Sequence, residues 1–117
     1  DNRYNPYPYL KNSDLFILSS KYEGLPNVIL EAQALKKYVI SSNCPTGPKE
    51  ILMNGQLGDL FPVGNYDILA NKLLNFIKNK KILKRKSSNA IKYLTRFDPK
   101  INSKKYSNLI LKVYEKL

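Results

Sequence analysis

A chain of 117 residues is long enough for one folded domain with one ordinary core. Its 43% hydrophobic and 25% charged content excludes both a disordered and a membrane-spanning chain, and no apolar run approaches the roughly 20 residues of a span. One cysteine, Cys44, excludes an internal disulfide, and the lack of histidine removes imidazole bases and the usual zinc ligands. Chemistry falls to carboxylates, hydroxyls and lysines, and a reducing, cytoplasmic setting is expected. The opening Asp1-Asn2-Arg3-Tyr4-Asn5-Pro6 has no basic region leading into an apolar core, so no secretory signal is expected.

The net charge of +11 is unevenly placed. Residues 1–60 carry six basic and six acidic side chains, whereas residues 61–117 carry fourteen and three. A basic half can attach to nucleic acid or to an anionic membrane surface. Equally, with seventeen lysines among twenty basic residues, it can be a set of solvated helix faces. Nucleic acid is disfavoured, because the aromatics are not interleaved with the basic run and no recognition motif is present.

In chain order, residues 6–12 suit a short helix, and Leu15-Phe16-Ile17-Leu18 reads as a strand buried on both faces. A helix follows over residues 26–36, with Pro26 at its first position and lysines in its last turn. Tyr38-Val39-Ile40-Ser41 reads as a second buried strand, completing a βαβ unit and implying a parallel sheet. Gly47-Pro48-Lys49-Glu50 opens a short helix that runs to about Met53 and is ended by Asn54-Gly55; Asp59-Leu60-Phe61 is a third strand candidate. The remainder is helical, with stripes at Leu69, Leu73, Phe76 and Ile77, at Ile91 and Leu94, and at Tyr106, Leu109, Ile110, Val113 and Leu117. The fold class is α/β: a partial doubly wound, Rossmann-like parallel sheet with flanking helices and a helical C-terminal region, forming a single domain over 1–117. Two or three strands are few for such a sheet, so the chain reads as half of a doubly wound domain, or as one with an exposed sheet edge.

Two carboxylates carry the chemical signal. Glu23 lies in the loop after the first strand and Glu31 eight positions on, in the following helix; both can face the carboxyl end of that strand, where open α/β sheets bind ligands. Glu31 is the only charge among apolar residues that surround its helix, so it reads as a buried acid needing a partner. That partner is ligand hydroxyls, a lysine such as Lys36 or Lys37, or the backbone of a loop. With Pro26 first in the helix, Leu25 would be the cap and offers no acceptor, leaving the amides of Asn27, Val28 and Ile29 for an anion or for water. Gly24 permits close backbone approach. Thr46, Gly47 and Glu50 form a second loop at the same sheet end, readable as ligand contacts or as a plain helix cap. The glycines fit neither G-x-G-x-x-G nor a P-loop.

Through Asp14 to Ser20, Tyr22 to Ala32, Cys44 to Leu52 and Gly58 to Pro62, the chain resembles glycosyltransferase family 4, of the two-domain GT-B architecture. The resemblance covers about residues 5–80 and corresponds to the later part of the C-terminal, donor-binding domain; it implies that the acceptor-binding N-terminal domain and the first part of the donor domain would precede Asp1. It further implies that Glu23, first acid of the family's E-x7-E pattern, contacts the donor sugar and is the catalytic candidate. Glu31 would hold the nucleotide ribose, and the backbone of Gly24, Leu25, Asn27 and Val28 would face the diphosphate. The implied activity is transfer of a hexosyl group from a sugar nucleotide to a polysaccharide or lipid-linked oligosaccharide, with retention, without metal and with no cofactor. Partners would be the nucleotide-sugar donor and a saccharide or lipid-linked acceptor. Peripheral contact with the cytoplasmic face of the membrane through the basic C-terminal helices would suit such an acceptor. The alternative is a non-catalytic basic fragment associating with an anionic membrane surface.

Overall fold

The computed structural model describes residues 5–116; Leu117, expected on the last apolar stripe, and the opening Asp1 to Tyr4 lie outside the described residues. The elements run α1 (Tyr7–Asn12), β1 (Leu15–Leu18), α2 (Asn27–Ala34), β2 (Tyr38–Ser42), α3 (Pro48–Ile51), β3 (Asp59–Phe61), α4 (Tyr66–Lys78), α5 (Lys80–Ala90), a 3-10 helix (Ile91–Phe97) and α6 (Pro99–Tyr114). The three strands form one parallel sheet in the order β1-β2-β3, with Leu15 opposite Tyr38 and Ile40 opposite Asp59.

Side-chain alternation along the strands divides the core in two. On one face Val39 packs with Ile29, Ala32, Ile51 and Leu52, supported by Phe16, Leu18, Leu60 and Phe97. On the other, Tyr38 and Ile40 pack with Phe61 and Phe76, supported by Leu15, Leu69, Leu73 and Leu83. The Tyr38 and Phe76 rings stack 5.5 Å apart. Burial and the nearby Asp59 carboxylate raise the Tyr38 pKa well above that of an ordinary phenol.

The central strand β2 is buried throughout, as expected. In contrast, β1 is not buried on both faces: it is an edge strand, and Ile17 keeps 40% of its surface exposed. An edge strand has a neighbour on one side only, so apolar content alone does not bury it. The same open flank changes α2, which is buried along Ile29, Ala32 and Gln33 rather than all round; Val28 and Ala34 are exposed.

Helix ends also differ from the sequence expectation. Pro26 is extended and caps α2 instead of opening it, and the helix stops at Ala34, before the lysines. Lys36 takes a positive φ of 57° while the Lys37 amide donates to the Ala32 carbonyl, reversing the chain into β2. The helix begun at Pro48 ends at Ile51, because Met53, Asn54 and Gly55 all adopt left-handed conformations. On α4, Leu69, Leu73 and Phe76 point inward but Ile77 points to solvent. The stripe on α6 likewise lies exposed, from Tyr106 through Leu109 and Ile110 to Val113.

Candidate functional site

The loops after β1 and β2 meet at the carboxyl end of the sheet, and Gly47 is the point of contact. Its φ is +87°, and an added Cβ would lie 2.3 Å from the Pro26 Cδ and 2.4 Å from the Gly24 carbonyl oxygen. No other residue fits both that backbone and that space. Thr46 Oγ1 donates to the Glu23 carbonyl oxygen, and Ser42 Oγ donates to the Ser20 carbonyl at 2.6 Å. Three contacts thus hold the Glu23 loop against the Gly47 loop.

Glu23 is half-buried, and its carboxylate accepts a 2.6 Å hydrogen bond from Ser20 Oγ. That bond fixes the side chain near the strand end. This pairing of Ser20 with Glu23 carries no signal in sequence, because a three-residue spacing across a loop follows no period.

The start of α2 is open. Pro26 provides no side-chain cap, and the Ile29 amide donates to the Pro26 carbonyl at 3.0 Å, so it is not free as expected. Among the described residues the amides of Asn27 and Val28 find no backbone acceptor. Leu25, Asn27 and Val28 are exposed, and a Cβ on Gly24 would meet nothing within 4 Å. Two unaccepted amides at the positive end of a helix, beside open space, suit an anion.

Glu31 lies elsewhere on the same helix. It is half-buried and lines a groove of about 410 Å³ along the open flank of β1, with Tyr9, Leu10, Phe16, Ile17 and Val28. Neither lysine weighed as its partner reaches it. Lys37 donates instead to the Lys11 and Ser13 carbonyls, and among the described residues Glu31 forms no ion pair. Thr46, Gly47 and Glu50 line a different cavity, of about 600 Å³, together with Lys49 and Arg96. Arg96, unremarked in sequence because it is 46 residues from Glu50, donates to the Glu50 carbonyl at 3.4 Å and the Ile51 carbonyl at 3.1 Å, satisfying the last carbonyls of α3. Among the described residues no cluster of three acidic or thiol side chains could hold a metal ion, and no helix is long and apolar enough to cross a membrane.

Comparison with known proteins agrees with this architecture. Residues 1–93 match the family described as glycosyl transferases group 1, and the chain belongs to that family. It is 30% identical over 108 residues to the N,N'-diacetylbacillosaminyl-diphospho-undecaprenol alpha-1,3-N-acetylgalactosaminyltransferase of Campylobacter jejuni, covering 92% of this chain and 27% of that protein. It is 31% identical over 78 residues to the capsular polysaccharide biosynthesis glycosyltransferase CapM of Staphylococcus aureus, covering 67% of this chain and 20% of that one. The chain therefore spans about a quarter or less of these relatives. The crystal structure of Anabaena Alr3699/HepE in complex with UDP superposes with a TM-score of 0.79 at 24% identity, over 89% of this chain and 29% of that one. The fold is that of GT-B glycosyltransferases.

Proposed function

We propose that this chain is the later part of the C-terminal, donor-binding domain of a family 4 glycosyltransferase, which moves a hexosyl group from a sugar nucleotide to a polysaccharide or lipid-linked oligosaccharide. The observation that carries the reading is the open start of α2, where the Asn27 and Val28 amides, the free space over Gly24 and the oriented Glu23 carboxylate share one sheet end. In this reading the two amides and the helix dipole receive the diphosphate and stabilise the charge that grows as the glycosidic bond breaks. Glu23 faces the sugar, held by Ser20, and is the catalytic candidate. Glu31, which has no ion-pair partner among the described residues, accepts from the ribose hydroxyls. Thr46 and Gly47 position the Glu23 loop, and Glu50 lines the neighbouring cavity.

Transfer proceeds with retention and without a metal or other cofactor, the sugar nucleotide being a substrate. A neighbour of the same fold is named for its complex with UDP, and one relative is named for a diphospho-undecaprenol acceptor, which supports a nucleotide-sugar donor and a lipid-linked acceptor here. The protein then works at the cytoplasmic face of a membrane, reached peripherally through its basic C-terminal helices. A second reading, a non-catalytic basic fragment on the same surface, draws on one fact: residues 68–97 hold nine basic and no acidic side chains.

Calorimetric titration with UDP and UDP-hexoses tests the donor site. Weak binding is expected, and Glu31→Ala should lower it at least about tenfold, or about 1.4 kcal/mol. Equal affinity of the two proteins would remove Glu31 from the site. Product anomer by NMR, and turnover with and without a chelator, test retention and metal independence.

A further inference from the structure

The nine cations of residues 68–97 fall into two groups. Those that face the protein are committed. Lys72 pairs with Asp59 at 3.6 Å, and Lys80 and Lys84 both pair with Asp14, at 2.8 and 2.6 Å. Lys86 donates to the Gly55 carbonyl, and Arg96 to the end of α3. Lys78, Lys81, Arg85 and Lys92 are exposed and have no ion pair or hydrogen bond to any described residue; the first three lie on α4 and α5, and Lys92 lies on the 3-10 helix.

The three on α4 and α5 are interleaved with three exposed aliphatic side chains: Leu74 at 54%, Ile77 at 70% and Ile82 at 67% exposure. The order Leu74, Ile77, Lys78, Lys81, Ile82, Arg85 follows the i, i+3, i+4, i+7, i+8, i+11 spacing of one helix face. Hydrogen bonds from the Asn79 amide to the Asn75 carbonyl, and from Leu83 to Asn79, carry the helical path across the joint between α4 and α5. Phe76 and Leu83 on the opposite side are in the core. Aliphatic groups surrounded by unpaired cations, with no acid among them, match one kind of surface: an apolar interior beneath a layer of anionic headgroups. The lysine and arginine stems lie along the aliphatic groups while their charges reach the headgroup phosphates.

We infer that the outer face of α4 and α5 is the element that attaches this protein to an anionic lipid bilayer; this rests on the membrane contact proposed above and assigns it to one stripe rather than to the basic helices as a whole. The position suits the donor site. Lys80 and Lys84 bind Asp14, immediately before β1, so the stripe reaches the amino end of the sheet, opposite the loops of Glu23 and Gly47. Attachment there leaves those loops open to a water-soluble nucleotide sugar.

Cosedimentation of the purified protein with vesicles of phosphatidylglycerol and phosphatidylcholine tests the stripe. Binding is expected to require phosphatidylglycerol and to be released in about 1 M salt, where the screening length is about 3 Å. Lys78→Gln, Lys81→Gln and Arg85→Gln together should lower partitioning about a hundredfold, at about fivefold per cation. Leu74→Ser, Ile77→Ser and Ile82→Ser together should weaken it while leaving the salt dependence in place. The melting temperature of both variants should stay at the wild-type value, since all six side chains face water. A triple glutamine variant of Lys104, Lys105 and Lys112 on α6 should bind within about twofold of wild type. Loss of binding in the α6 variant, with retention in the stripe variant, would overturn the assignment but keep membrane contact through the basic helices. No vesicle binding at all would overturn both, as would stripe-dependent binding of single-stranded nucleic acid without binding to vesicles. Neither result touches the donor site, which UDP titration reads separately.

Discussion

The two halves of the chain solve different problems. Up to residue 65 the charges balance and the chain is punctuated by close backbone contacts: Gly47 against Pro26 and Gly24, Thr46 against Glu23, Ser42 against Ser20. Beyond it, charge accumulates, and α4 packs against the sheet along one side, through Leu69, Leu73 and Phe76. In the first half the candidate site offers the Asn27 and Val28 amides and the Glu23 carboxylate, held by the fold; in the second, Lys78, Lys81 and Arg85 are long side chains bonded to no described residue. Substrate chemistry needs the first arrangement, because reacting groups must be pre-positioned. Attachment to a fluid surface tolerates the second.

Adjacent residues on α4 give the strongest test of that contrast. Phe76 is 4% exposed and stacks on Tyr38; Phe76→Ala should destabilise by about 3–5 kcal/mol. Ile77, next to it, should tolerate Ile77→Ala within about 0.5 kcal/mol. Urea unfolding of the two variants measures the difference, and equal losses would mean that α4 is rotated from the orientation described.

Gly47→Ala probes the first half. A left-handed φ and an overpacked Cβ together should cost about 3 kcal/mol. Because the clash falls on Gly24 and Pro26, UDP binding should be lost along with stability. A variant of wild-type stability with intact binding would show that the two loops are not in contact.

The smallest effect belongs to Asp14, where the halves are joined. Lys80 and Lys84 hold its carboxyl at about 2 instead of the usual 3.8. A depressed pKa means that the contribution to stability is complete above about pH 4 and is lost as the pH falls through about 2. NMR titration of the Asp14 carboxyl reads the shift directly. The gap in melting temperature between wild type and Asp14→Asn should be small, narrow in acid and shrink with salt, since all three groups are exposed.

Much of the fold was legible because it rests on local rules. The continuous apolar runs Leu15-Phe16-Ile17-Leu18 and Tyr38-Val39-Ile40 gave β1 and β2 their place. Pro48 marked a helix start; the cap that Asp98 gives α6, accepting from the Lys100 and Ile101 amides, is seen only in the structure. The pairing of the Glu23 loop with the Gly47 loop could be anticipated only as a common sheet end. The clash that forces glycine at 47 depends on Pro26 and Gly24, some twenty residues away, and leaves no periodic trace.

What the sequence alone determined was therefore the order and type of the elements, the spacing of Glu23 and Glu31, and the separation of charge between the halves, since each depends on near neighbours along the chain. Tertiary structure decided which apolar residues are buried. Ile17 and Ile77 carry the same aliphatic signal as Ile40 and Leu73, yet the first pair faces outward because β1 has one neighbouring strand and α4 one packing side. It also decided which lysines are free, because an ion pair such as Lys84 with Asp14 joins residues seventy positions apart. Burial and pairing belong to the arrangement of elements in space, and only that arrangement separates the cations that hold the fold from those offered to a surface.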